Sequence, residues 1–288
     1  IEILKEKPND INFIDTFKIK KDNYFICGNI NNSLLNYYPP HKKEYTKVHY
    51  LSSHLQKCIR RMDDYRSVKT AKHYIDLDIT SFLRRLPIIM LEDVCLDRSF
   101  PIIIWFMISI TKGFQIKENM IRWLLGIVYN LSLEKKKDLY LKDEKIIEYN
   151  IDDFNENDQV LLYSLIFRCC YGGMKGDMMM IKNYLNRLIK KDNSLIITNN
   201  KIPRVVLSIE SLKKSEWLYE ANDFHCNKYI INQILAKHPN YKSDKIKSLI
   251  WENSSCINYR EEQNEKNDKD WIIIEDTVRR IQRNCKYK

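Results

Sequence analysis

Asp223-Phe224-His225-Cys226 is the one place in the sequence where an acid, an imidazole and a thiol stand together. A metal ion would need two of these side chains on one side, yet consecutive helical residues point about 100° apart. A Cys–His nucleophile pair would need the two side chains opposed in space. In the simpler reading Asp223 caps a helix, Cys226 faces the core, and His225 is either a surface residue or a hydrogen-bonded structural one. The alternative is an enzyme whose site assembles from distant residues such as Glu92, Asp93, Lys175, Asp223 and His225. The sequence has no Ser-His-Asp order, no G-x-S-x-G elbow and no G-x-x-x-x-G-K-[ST] phosphate loop. Cys27, Cys58, Cys95, Cys169, Cys170, Cys226, Cys256 and Cys285 lack the paired spacing of a zinc site. Neither metal nor cofactor is implied, and a non-catalytic role is favoured.

Binding chemistry is better represented. Lys plus Arg number 48 against 38 Asp plus Glu, a net charge of +10 and a pI near 9.0. Such a balance favours an anionic partner, DNA or RNA or an acidic protein face. The cations fall in recognisable places: Lys57, Arg60 and Arg61 on the basic side of an amphipathic helix, and Lys245 and Lys247 on the second helix of a pair with helix-turn-helix lengths. Arg279, Arg280 and Arg283 lie on a terminal helix suited to electrostatic contact with phosphate. Tyr171-Gly172-Gly173-Met174-Lys175-Gly176-Asp177 is a glycine-rich turn opening into a helix, where free N–H groups and Lys175 would receive an anion unless Asp177 caps them. Arg84-Arg85 precede Glu92-Asp93 by about two turns inside an apolar helix. Structural ion pairs among Arg84, Arg85, Glu92 and Asp93 are the expected arrangement, with phosphate contact by the arginines as the alternative.

The elements that must position these groups are read from apolar spacing. Leu51, Leu55, Cys58, Ile59 and Met62 share a helical face, and a second helix follows Asp63-Asp64. Another begins near Thr80-Ser81, Ser99 and Pro101 start a very apolar one that Gly113 closes, and Lys117 to Leu131 forms the next. Beyond, helices are expected from Asn157 or Asp158 to Tyr171, from Asp177 to Lys190, over 208–220, over 223–238, over 243–253 and over 272–285, with a short strand or extended crossing within 195–207. The expected fold is all-α, an irregular multi-helix array with a short irregular or β-like N-terminal arm. Its domains are an arm over 1–45, a helical subdomain over 46–131, a charged connection over 132–158, a second helical subdomain over 159–260, and a mobile linker with a basic terminal helix over 261–288. The apolar stretch at Pro101 to Ile110 is too short to cross a bilayer, so no membrane partner is expected. Cysteines inside apolar runs read as reduced thiols of a cytoplasmic or nuclear compartment. Abundant Ile, Lys and Asn suggest an AT-rich genome such as that of a parasite, a symbiont or a large DNA virus. A chain opening on Ile1 reads as an excised domain, a processed product or an incomplete chain.

Ser53-His54-Leu55-Gln56-Lys57, the turn Arg60-Arg61-Met62-Asp63, the helix Ala71 to Asp78, Phe82-Leu83-Arg84-Arg85-Leu86, Glu92-Asp93-Val94 and Leu96-Asp97 form a further pattern. Over about residues 52–98 it resembles the helical collar region of RarA/MgsA-type replication-associated AAA+ ATPases. The resemblance implies oligomerisation and assembly with clamp-loader-like machinery at replication forks. It does not extend to ATPase activity, because the phosphate loop is missing, Pro87 interrupts the helix, and the pattern stops after residue 100. The expectation is thus a non-catalytic helical module that contacts nucleic acid, assembles with DNA replication or recombination machinery, or both, as a homo-oligomer or with a larger protein partner. Alternatives are a structural subunit of a larger assembly or viral particle, and the enzyme around Asp223 and His225.

Overall fold

The computed structural model describes residues 1–40, 47–139, 148–210, 212–221, 227–261 and 268–284. In chain order the elements are β1 (Glu2–Leu4), β2 (Phe13–Ile19), β3 (Asp22–Gly28), α1 (Val48–Arg60), α2 (Asp64–Asp93), β4 (Leu96–Asp97), α3 (Phe100–Thr111), α4 (Glu118–Leu133), α5 (Glu156–Cys170), α6 (Lys175–Ile189), β5 (Ile197–Thr198), α7 (Lys228–Lys237), α8 (Ser243–Ile250) and α9 (Lys269–Asn284). The chain is mostly helical but not all-α. Its N-terminal segment, expected as an irregular or β-like arm, is an antiparallel sheet in the order β1-β3-β2. Alternation in Phe13-Ile14-Asp15-Thr16-Phe17-Lys18-Ile19 and a two-residue turn at Lys20-Lys21, with Lys20 in the left-handed region, account for the β2–β3 hairpin.

Two compact units are woven from alternating segments rather than laid out in sequence. One comprises Ile1–Tyr38, Ile79–Ile127 and Lys136–Leu207; the other comprises Pro39–Asp78, Val128–Lys135 and Ser208–Lys288. The expected boundaries at 45, 131, 158 and 260 therefore do not separate them. The chain leaves one unit for the other at Asp78, where α2 has non-helical torsion angles, near the restart expected at Thr80-Ser81.

In the first unit the sheet lies on α3 and α5. Trp105 donates its indole N–H to the Cys27 carbonyl at 2.9 Å, and Phe167 of α5 meets Phe17 and Tyr24 edge-on. These rings and the fully buried run Ile103–Ile108 bury the apolar surface that stabilises the unit. The stretch read as a charged connection is pinned here. The Asp138 carboxylate, 1% exposed, meets the Arg187 guanidinium at 2.9 Å, and the Asp138 N–H donates to the Val94 carbonyl. Arg187 also meets the Asp192 carboxylate at 2.9 Å, so one guanidinium holds two carboxylates here. Gly126 of α4 lies so close to the Pro203 carbonyl that a side chain there would collide with it.

In the second unit α1 is buried on nearly every side from His54 to Arg60. His54 is fully enclosed: its Nε2 accepts the Leu218 N–H at 2.9 Å, its Nδ1 meets the Thr70 hydroxyl at 2.7 Å, and Trp217 stacks on its ring. Helices α7, α8 and α9 share a core of Ile230, Ile231, Ile234, Ile246, Leu249, Ile250, Ile274 and Val278. The helix expected over 208–220 is instead two single 3-10 turns, Lys214–Glu216 and Tyr219–Ala221. Among the described residues, no helix is long and apolar enough to cross a membrane.

Candidate nucleic-acid interface

The head of α6 gathers cations from three elements of the first unit. Helix α5 ends at Gly172 and Gly173, both with positive φ, and the chain re-enters helix at Lys175. Met174, not Asp177, occupies the cap position and supplies no side-chain hydrogen bond. The N–H groups of Lys175, Gly176 and Asp177 therefore have no acceptor among the described residues, and the positive end of the helix dipole is open. Asp177, expected as the cap, instead points its carboxylate at Arg85, 3.8 Å away. Arg85 also reaches Glu92 at 3.6 Å, while Asp93 is buried. Arg84 is exposed and makes a 3.5 Å contact with the Tyr171 carbonyl. Behind them stands Arg168, 3% exposed, donating to the carbonyls of Gly172 at 2.8 Å and Arg84 at 2.9 Å. Its Nε is buried and has no acceptor among the described residues. Burial, together with the positive charges of Arg84 and Arg85, lowers the Arg168 pKa.

Arg84, Arg85 and Arg168, with Lys175 exposed in the first turn of α6, outnumber the two carboxylates Asp177 and Glu92 by two, beside backbone N–H groups that are unmet. An anion placed there would satisfy donors and relieve repulsion together. Arg168 was not singled out in the sequence, although it is the only charged residue between Asp158 and Lys175. A lone arginine in an apolar run just before a Gly-Gly stop was the available signal.

The other expected phosphate contacts lie in the second unit and are mostly engaged by the protein itself. Lys57 and Arg60, 4% and 6% exposed, are corrections: they are buried and unable to meet a polyanion. Arg60 donates to the Ser255 carbonyl at 2.7 Å, Arg61 to the Ser254 carbonyl at 3.2 Å, and Lys57 to the Ser53 hydroxyl at 3.2 Å. The reason is the wide π-turn Trp251–Ser255, whose carbonyls need donors that the end of α1 provides. Lys245 pairs with Asp270 at 3.0 Å, and Lys247 pairs with Asp244 at 3.0 Å. Those carboxylates, with Glu252 bonded to Ser248, make the outer side of α8 a poor groove reader. Arg279 is held by Glu275 at 2.6 Å. Arg280 and Arg283 have no carboxylate partner among the described residues and edge a depression of about 550 Å³ with Asp276, Thr277 and Asn284. They stand at the negative end of the α9 dipole, where Asp276 also weakens the field, so they serve an anion less well than the head of α6 does.

Asp223, His225 and Cys226 lie outside the described residues, as do Cys285 and the lysines after it. Among the described residues no three His, Cys, Asp or Glu side chains come together as a metal ion would require. The chain matches no protein-family model, and neither a curated protein nor a solved structure is similar to it.

Proposed function

We propose that the chain is a non-catalytic helical module that contacts nucleic acid, DNA or RNA, through backbone phosphate held at the head of α6. The observation that carries this reading is the uncapped first turn of a fifteen-residue helix beside a surplus of arginine and lysine. Lys175 and Arg84 are exposed and meet the polyanion; Arg85 and Arg168 supply field from behind. The pair α1–α2, joined by a tight turn at Met62, spans the residues that resemble the ATPase collar. In this reading that pair serves assembly with a replication or recombination ATPase, as a homo-oligomer or with a larger partner, in the cytoplasm or nucleus.

The test is anisotropy of labelled single- and double-stranded oligonucleotides over roughly 50 to 200 mM salt. Binding should weaken linearly on a log–log scale. Arg84→Gln with Lys175→Gln should flatten the slope by about 1.4 to 1.8, two phosphate contacts at 0.7 to 0.9 each. Absence of binding at the lowest salt, or an unchanged slope in the double variant, would refute the reading.

A further inference from the structure

Where the parallel strands β4 and β5 end, the next residues, Arg98 and Asn199, open into a depression of about 320 Å³. Helices α3 and α5 complete it with Pro101, Asn157, Val160 and Leu161. The Arg98 N–H donates to the Thr198 carbonyl at 2.9 Å, so the strand pairing itself sets Arg98 beside Asn199. The Arg98 guanidinium is aimed by a short relay: Nη2 meets the Asp158 carboxylate at 3.0 Å, and Asn155, the cap of α5, donates to the other oxygen of that carboxylate at 2.7 Å. The opposite nitrogen, Nη1, is buried and has no acceptor among the described residues. Asn157 and Asn199 are exposed at the lip, and Val160 keeps half its surface in solvent over a buried Leu161.

Charge and shape narrow the occupant. Arg98 and Asp158 cancel, so the depression does not call for an ion. The guanidinium N–H groups not taken by Asp158 and two carboxamides, each offering a donor and an acceptor, suit a neutral group with carbonyl and N–H or ring-nitrogen edges. The aliphatic wall suits a flat apolar face. A peptide added as a strand would need a longer sheet edge than two-residue strands provide. Pocket volume at the lower end of the small-ligand range fits a single heterocycle.

We infer that this depression binds one nucleobase, of an unpaired nucleotide in a strand or of a free nucleoside. The ring lies against Pro101, Val160 and Leu161, and its edge meets Asn157, Asn199 and the exposed part of the Arg98 guanidinium. Only the strand-borne source rests on the nucleic-acid reading given above. Asparagine amides pair with base edges in this way, and aliphatic side chains hold bases removed from a stack.

The test follows the Val160 and Leu161 methyl resonances of the full chain during titration with adenosine, guanosine, cytidine, uridine and ribose 5-phosphate. At least one nucleoside should shift them saturably while ribose 5-phosphate does not, and Asn157→Leu or Asn199→Leu should weaken that binding at least about fivefold. Methyls that stay still at about 10 mM of every nucleoside, equal shifts with ribose 5-phosphate, or wild-type binding by a variant carrying both Asn157→Leu and Asn199→Leu would each overturn the inference. A matched pair of oligonucleotides, one with bases and one abasic throughout, separates the two readings. If the abasic strand binds in a salt-sensitive way while no nucleoside binds, the base site is wrong and the phosphate contact stands. If nucleosides bind but neither strand does, the pocket takes free nucleosides and the nucleic-acid reading fails.

Discussion

Mild acid should loosen the second unit through one side chain, His54. Its ring is fully buried, and the Leu218 N–H occupies Nε2, so the imidazole is neutral with its proton on Nδ1 toward Thr70, whose hydroxyl in turn donates to the Arg66 carbonyl. Burial, then the positive charges of Arg66, Arg61 and Lys57, push its pKa from 6.5 down to about 3. The unfolded chain takes up this proton near 6.5, and the folded chain refuses it until about 3. Between those values the unfolded state binds more protons, so the stabilisation is complete above pH 6.5 and is lost as pH falls, by about 1.4 kcal/mol per unit. From 6.5 to about pH 5 the loss is about 2 kcal/mol, a sizeable part of a domain's net stability. Carboxylates cannot mimic this: Asp192 and Glu216, held at about 2, withdraw their contribution only below the ordinary carboxylate range. Urea unfolding followed by circular dichroism at about pH 7, 6 and 5 measures the slope. His54→Gln keeps an acceptor for Leu218 and a donor for Thr70 but cannot titrate, so its slope should be shallower by that amount. Equal slopes in the two proteins, or a wild type whose stability is flat from about pH 7 to pH 5, would refute the reasoning.

Arg260 donates to the carbonyls of Ile59 at 2.7 Å, Glu134 at 2.7 Å and Leu131 at 2.5 Å, closing the C-terminal ends of α1 and α4 with one guanidinium. Lysine cannot form that fork, so Arg260→Lys should leave carbonyls unmet and cost about 2 to 4 kcal/mol in urea unfolding. Gly126→Ala places a methyl group against the Pro203 carbonyl, and the first unit should unfold at a lower temperature by calorimetry; an unchanged Tm would show that the 200–205 segment yields freely.

The helices whose apolar residues recur at three and four were legible because period and burial coincide, as in Leu51, Leu55, Cys58 and Ile59. Pro101 and Gly113 marked the ends of α3, whereas Ser99 holds the cap position without a side-chain hydrogen bond. What failed was non-local. The β1–β3 pairing joins residues more than twenty positions apart, and nothing in Glu2-Ile3-Leu4 signals a strand without its partner. The segment 208–220 has helical composition, yet its residues are used singly: the Leu212 N–H donates to His73, and Glu216 pairs with Lys69. Interleaved units were invisible because apolar periodicity says which face is buried but not against what. At the site, the glycine turn and Lys175 were legible, whereas the cap at Met174 and the inward Arg168 depend on where α2 passes. Lys57, Arg60 and Arg61 misled because a basic helical side reads the same whether it faces water or unmet carbonyls.

Net charge is therefore a weak guide to this surface, and the local balance at α6 is the better one. Many of the chain's cations are turned to backbone carbonyls, as at Arg60, Arg61 and Arg260, or to carboxylates, as in Arg187–Asp138 and Lys245–Asp270. If the head of α6 binds phosphate because its cations outnumber its carboxylates beside open N–H groups, one more carboxylate should abolish binding while helping the fold. Gly176 sits in that first turn with no atom within 4 Å of where a Cβ would stand. Gly176→Asp removes a helical glycine and places an anion at the positive end of the dipole, together worth about 0.5 to 1.5 kcal/mol of added stability. Lys21→Ala, on the exposed hairpin turn, changes the net charge by the same single unit and serves as the comparison. Oligonucleotide affinity should fall by at least about tenfold in Gly176→Asp, from loss of a charge-assisted contact, and by far less in Lys21→Ala. Equal losses in the two would mean that only bulk charge draws the polyanion, and the head of α6 would then have no claim as its seat.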